Sequence, residues 1–181
     1  MIQLDTSWLQ HVQKPARYTG GEYNSIVKDH STVDVTMALG FPDVYEVAMS
    51  HLGIKILYGL VNRREDAVAE RVFAPWHDME EEMRKRNIPL FSLETRTPIK
   101  DFDVLAFTLQ YEMSFTNILN MLDLAGIPMY AKERDLDFPL LVCGGPCAYN
   151  VEPIADFFDI VSLGESEEWG DEFIDLLKAE K

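Results

Sequence analysis

Only two cysteines occur in 181 residues, and they stand four apart at Cys143 and Cys147. That excludes a disulfide framework of the kind that staples small secreted scaffolds. Basic residues are also scarce: 16 Lys and Arg face 31 Asp and Glu, for a formal charge of −15. A chain so balanced does not grip nucleic acid or an anionic membrane without a local basic patch. The one dense basic cluster, Arg84-Lys85-Arg86, follows Glu80-Glu81-Glu82 at four-residue spacing, as on a solvated helix face. No apolar run approaches the ~18 residues of a membrane span. The start, Met1 to Asp5, lacks the basic residues and apolar stretch of a signal peptide. These absences predict a cytoplasmic protein with reduced thiols and no membrane or direct nucleic-acid partner.

What is present is an ordinary globular composition, 47% hydrophobic and 26% charged, enough for one domain with a real core and a short appendage. Strand-like and helix-like segments alternate. Val33 to Phe41 reads as a first strand, and Asp43 with Glu46 offers a capping box for a following helix. In that helix Met49, Leu52, Gly53, Ile56, Leu57 and Leu60 recur at the helical period and are expected to be its buried stripe. Ala67 to Ala74 reads as a weaker strand, and Asp78 to Asn87 as a helix, acidic first and basic last, as the helix dipole favours. Ile88 to Phe102, with Pro89 and Pro98, reads as a loop with room for one short strand.

Asp103 to Leu109 returns to a buried-strand pattern. A helix from about Glu112 to Ala125 follows, with Phe115, Ile118, Leu119 and Leu122 inward, stopped by Gly126 and Pro128. Pro139 to Cys143 and Asp159 to Leu163 are short apolar runs of the kind covered on both faces, each opening into a glycine turn. A last helix from Glu168 to about Lys178 places Trp169, Phe173, Leu176 and Leu177 on one face. Five strands separated by helices predict an α/β fold: a flavodoxin-like (Rossmann-like) doubly wound parallel sheet, order 2-1-3-4-5, in three αβα layers.

In such sheets ligands bind at the carboxyl ends of strands. The expected crevice is lined by Phe41 to Tyr45, Thr108 to Tyr111, Gly144 to Ala148 and Gly164 to Glu167. Within these segments the candidate cofactor-binding residues are Pro42, Asp43, Thr108, Gln110, Tyr111, Gly144, Gly145, Pro146, Gly164 and Glu165. Glycines let the backbone approach a ligand closely, and Thr108, Gln110 and Tyr111 suit a hydrogen-bonding rim. The glycine pair also serves a tight strand-to-helix turn without any ligand, and both roles stay open. Glu165, Glu167 and Glu168 sit around a helix start, where carboxylates favour the dipole regardless of ligand. His51 is expected to be a hydrogen-bonded structural histidine, and Cys143 a small buried hydrophobe. Cys147 is a reactive thiol only if a helix start lowers its pKa. No nucleophile and base pair or metal-spaced cluster appears, so no catalytic or metal-ligating residue is assigned.

Gly144-Gly145-Pro146-Cys147-Ala148, Glu152-Pro153, Asp159 and Gly164-Glu165-Ser166-Glu167-Glu168 resemble the end of the cobalamin-binding-like domain that precedes the catalytic barrel in many radical S-adenosylmethionine proteins. Lys14 to Lys28, Phe41 to Glu46, Met49 to Gly53, Glu70 to Trp76 and Leu109 to Glu112 resemble one bacterial, Fe-S oxidoreductase-like subfamily of these proteins.

The resemblance implies an amino-terminal domain spanning 31–181, an extension at 1–30 that packs on it or on a catalytic domain, and a downstream barrel. That barrel would hold S-adenosylmethionine and a [4Fe-4S] cluster on three cysteines of a Cys-x-x-x-Cys-x-x-Cys loop. This chain has no third cysteine, and Asn150 stands where one would fall, so the chain is expected to be inactive alone and to stop at Lys181 ahead of a linker and barrel. Cobalamin is implied as a small-molecule cofactor, without a histidine ligand to cobalt: none of His11, His30, His51 or His77 lies in an Asp-x-His-x-x-Gly pattern. The alternatives are a degenerate domain that binds no cobalamin and only contacts its catalytic partner or positions substrate for it, a flavin module on the same crevice, and a self-contained enzyme.

Overall fold

The structure, a computed structural model, describes residues 6–181 apart from the side chains of Thr6 and Glu168. The expected absence of a signal peptide at Met1 to Asp5 therefore lies outside the described residues. A short helix α1 (Thr6–Leu9) leads to β1 (Val35–Phe41), the single turn α2 (Tyr45–Ala48), α3 (Leu52–Asn62), β2 (Ala67–Phe73) and α4 (His77–Arg86). Then come β3 (Val104–Thr108), α5 (Phe115–Ala125), β4 (Leu140–Gly144), β5 (Ile160–Val161) and α6 (Ser166–Glu180).

The five strands form one all-parallel sheet in the order β2-β1-β3-β4-β5, the flavodoxin-like arrangement that the alternation predicts. β1 is central and buried along all seven residues, because helices cover both of its faces. On one face α3 and α6 bury Ile54, Tyr58, Val61, Phe173 and Ile174 against Val35, Met37, Leu39 and Val142. On the other, α4 and α5 bury Met79, Met83, Ile118 and Leu122 against Ala38, Leu105 and Leu141. The result is three layers. Gly126, at φ 69°, ends α5 in the left-handed conformation that glycine adopts without penalty.

Several local expectations change. Asp43 caps no helix: Val44 is the cap residue of α2, while one Asp43 oxygen accepts from the Val44 N–H (2.7 Å) and the other from the Tyr111 hydroxyl (2.7 Å). The chain breaks after one turn and restarts at His51, whose Nδ1 accepts from the Ile54 N–H (3.4 Å) and so caps α3. The inward stripe of α3 is Ile54, Tyr58 and Val61; Leu52 and Ile56 are exposed. Leu176 likewise faces out from α6, where Ile174 is buried instead. β5 shrinks to two residues, and the segment between the glycine turns holds two 3-10 turns, Pro146–Asn150 and Glu152–Phe157. The loop at 88–102 holds a single antiparallel bridge, Phe91 to Pro98.

Edge strand β2 carries buried charge. The carboxylate of Glu70 accepts from His30 Nε2 (2.7 Å) and from the Thr95 N–H (3.2 Å) and hydroxyl (2.7 Å), and the Ser92 hydroxyl completes the shell. On the other side of the strand, Arg71 pairs with Glu94 (2.6 Å) and Glu22 (3.0 Å) and lies over the Tyr58 ring. Burial holds the Glu94 carboxyl above its ordinary pKa, although Arg71 opposes the shift. The segment ahead of β1 is tied to the same edge: Arg17 and Lys14 pair with Glu46, Tyr45 donates to Glu22, and Lys28 donates to the carbonyls of Asn62 and Ala67. Trp8, Leu9 and Val12 join the core behind α4. The basic cluster of α4 behaves as a solvated face, with Arg84, Lys85 and Arg86 paired to Glu80, Glu81 and Glu82. No described helix is long and apolar enough to cross a membrane.

Candidate functional site

A cavity of about 270 Å³ opens at the carboxyl edge of the sheet, between α3 and α6. Its floor is the ends of β1, β3 and β4 (Leu39, Ala106, Val142), and its walls are Ile54 and Leu57 on α3 and Trp169 and Phe173 on α6. Trp169 and Phe173 stack at 4.6 Å with their rings nearly parallel, so one wall is a flat aromatic surface. The lining is mostly apolar, as ligand pockets are.

Two glycine turns shape the mouth, and their strands explain why glycine stands there. The Leu109 N–H donates to Gly144 O (2.7 Å), and the Cys147 N–H donates to Leu109 O (3.0 Å), which folds the chain after β4 tightly onto the chain after β3. Gly145 adopts φ 103°, and a Cβ on it would lie 3.1 Å from Leu109 O. Gly164 adopts φ 102° with open space around it, so the second turn keeps the mouth clear. Gly40, inside, has Phe107 ring atoms 2.6 Å from where its Cβ would sit.

A short polar chain runs along the rim. His51 Nδ1 accepts from Ile54 N–H, which places the ring proton on Nε2; that nitrogen donates to Gln110 Oε1 (3.1 Å), and Gln110 Nε2 donates to the Thr108 hydroxyl. The chain ties the start of α3 to the end of β3. It also occupies both nitrogens of His51. Carboxylates of Glu165 and Glu167 stand at the mouth, and no Lys or Arg is among the lining residues. Cys143 lines the cavity as a small apolar group: burial pushes its thiol up to about 12. Cys147 is half-buried, and burial together with the nearby Glu112 carboxylate raises its thiol as well, so the turn that follows β4 does not activate it.

Of the ten candidate residues, the cavity gathers Thr108, Gln110, Gly144, Gly145, Gly164 and Glu165. Pro42, Asp43, Tyr111 and Pro146 lie beside it, outside the lining. The Tyr111 hydroxyl donates to Asp43, which holds the phenol above its ordinary pKa; Pro42 O accepts from Asn117 Nδ2 (2.9 Å); Pro146 opens the 3-10 turn after β4. Sequence reasoning missed the contribution of α6, whose Trp169, Gly170 and Phe173 wall the cavity, and of Ser162 at the end of β5. The signal was available in the Trp169 and Phe173 spacing of four, which puts both rings on one helix face. Among the described residues no group of three or more His, Cys, Asp or Glu is placed to hold a metal ion.

Residues 53–181 match the family model described as radical SAM proteins, N-terminal. An uncharacterized protein of Methanocaldococcus jannaschii is 27% identical to this chain over 134 residues, 72% of this chain and 24% of that protein. The chain thus spans about a quarter of the length of the curated relative it matches.

Proposed function

This chain belongs to the radical SAM N-terminal family, and from that premise we propose that it is the non-catalytic amino-terminal domain of a radical S-adenosylmethionine protein, holding cobalamin at the carboxyl edge of its sheet. The observation that carries the reading is the apolar cavity beneath the two glycine turns. Residues 31–181 are the binding domain, 1–30 an extension whose described part, 6–30, is laid on it, and a downstream barrel supplies the cluster and S-adenosylmethionine.

The residues fit part of the cofactor. At about 270 Å³ the cavity takes a small ring, not a macrocycle, so the corrin would lie outside, over the edge. Gly144, Gly145 and Gly164 let the backbone approach a ligand closely, the Trp169 and Phe173 wall offers a stacking face, and Thr108 and Gln110 supply polar contacts at the rim. His51 is committed through both ring nitrogens, which supports binding without a histidine on cobalt. Bound cobalamin would supply a transferable methyl group; the chain's own residues would orient it and keep water from its buried face.

The test is to titrate the 181-residue chain, and then the chain joined to its catalytic domain, with hydroxocobalamin and methylcobalamin, following the visible spectrum and corrinoid retained after gel filtration. Retained corrinoid with an altered spectrum is expected. No retention in either protein overturns the cofactor reading and leaves the second one, a substrate-positioning or interaction module, which the exposed apolar side chains after β3, β4 and β5 favour.

A further inference from the structure

Tyr23, Val27, Leu136 and Leu176 are exposed elsewhere, but several of the apolar side chains left in solvent stand at one edge of the sheet. Met113, after β3, is 86% exposed; Tyr149, after β4, 77%; Leu163, after β5, 64%; Leu52 and Ile56 stand on the first turns of α3. Because β1, β3, β4 and β5 are neighbours, these residues stand on adjacent segments across three strand spacings, about 14 Å. Ile56 lines the cavity itself, and Leu52 and Leu163 adjoin lining residues. An apolar surface of that extent on a highly charged chain marks an interaction site.

Its margin is mostly acidic, although Lys14 and Arg17 pair with Glu46 and Lys55 stands between Leu52 and Ile56. Segments 42–53, 109–115, 144–152 and 162–167 contain Asp43, Glu46, Glu112, Glu152, Glu165 and Glu167 and no Lys or Arg. A second copy docked through the same surface would bring six carboxylates, with only Lys14, Arg17 and Lys55 beside them, against the same acidic set, and like charges across an interface are strongly unfavourable. The complementary surface is apolar at its centre and basic around it.

We propose that this edge is the docking face for the catalytic domain of the same protein, met by a surface of that chemistry, so that docking seals the cavity mouth. The inference rests on the reading that a catalytic domain accompanies the chain, which the family and the roughly threefold greater length of the relative support. α6 gives it a geometric consequence. That helix starts at the cavity with Ser166 and runs back to the opposite edge, where Lys181 donates to Asp34 O (2.8 Å) and pairs with Asp103. A domain joined after α6 must recross the length of the helix, about 22 Å for its fifteen residues. That takes an extended connector of about seven residues or more before its first docked element.

Hydrogen exchange, compared between the 181-residue chain and the protein carrying its catalytic domain, tests this. Amides of 109–115, 145–150 and 163–167 are expected to exchange roughly tenfold more slowly when the catalytic domain is present. Met113→Asp and Leu163→Asp change exposed side chains, so each should leave the melting point of the 181-residue chain unaltered while abolishing that protection. Equal exchange in the two proteins overturns the proposal. So does protection that rises with protein concentration together with a dimer mass, which would make a second copy the occupant. A protein whose catalytic part holds no iron–sulfur cluster fails the functional reading, and one that holds the cluster with an unprotected edge fails this inference alone.

Discussion

Replacing Gly145 by alanine tests whether the turn after β4 is a backbone constraint. Gly145 sits at φ 103° and ψ −176°, a region that only glycine populates freely, and forcing a side chain into it costs about 1–3 kcal/mol. The surroundings push the effect to the top of that range. A Cβ would stand 3.1 Å from Leu109 O and 3.2 Å from both Leu109 N and the Thr108 hydroxyl. Two of those atoms are backbone, and each is fixed by a hydrogen bond, to Cys147 N–H and to Gly144 O, so neither can yield cheaply. The expected loss is about 3 kcal/mol, which for a chain of this size lowers the melting temperature by roughly 6–12 °C. Two controls separate strain from mere loss of glycine. At Gly144 the nearest atoms would be 3.5 and 3.6 Å away, an ordinary contact, so Gly144→Ala should change stability by less than about 1 kcal/mol. Gly59, in α3 with open space around it, should gain about 0.5–1 kcal/mol on mutation to alanine. Thermal melts followed by far-UV circular dichroism, with urea titrations for free energies, give all three. A Gly145→Ala protein that melts with the wild type would refute the argument.

Glu70→Ala strips the acceptor from His30, Ser92 and Thr95 inside the β2 edge and should cost about 3–5 kcal/mol in urea unfolding, with Glu70→Gln milder; a loss under about 1 kcal/mol would mean those donors find other partners. Hydrogen bonds from Arg17 and then Lys14 hold the Glu46 carboxyl down from its ordinary 4.5 to about 2. The folded pKa is depressed, so this tie is fully present above pH 4.5 and is lost as pH falls from 4.5 toward 2. Hydrogen exchange of residues 14–18 should quicken across that window in the wild type, and Glu46→Gln should remove the pH dependence. Native protein at pH 8 should yield one slowly titrating thiol, Cys147, to Ellman's reagent and a second only on unfolding, because burial holds Cys143 near 12; two native thiols would contradict the packing of β4.

The sheet was legible because its strands are short apolar runs, separated by helical stretches and, except for β3, followed closely by glycine or proline, and parallel pairing leaves few orders open to such a chain. The facing of α3 was not. Leu52-Gly53-Ile54-Lys55-Ile56-Leu57-Tyr58 is apolar almost all round, so periodicity supports two stripes, and tertiary packing chose the one with Ile54 and Tyr58. The capping box at Asp43 failed for a similar reason: its carboxylate has a better donor in Tyr111, 68 residues away, which no local pattern contains. β2 looked weak because Glu70 and Arg71 interrupt it, yet both are buried, each satisfied by segments distant in sequence. Six of the ten candidate residues meet in the cavity because glycine turns at strand ends are fixed by topology; the α6 wall depended on how a helix far along the chain folds back.

α6 touches both ends of the molecule. Its first turns form the aromatic wall, its middle is clamped by Arg63 and Arg64 to Asp171 and Asp175, and its last turn is pinned through Lys178 to Asp34 and Asp66. The aromatic wall is therefore placed by contacts far from the cavity: ion pairs to the end of α3, to Asp66 ahead of β2 and to Asp34 ahead of β1 fix where Trp169 and Phe173 stand.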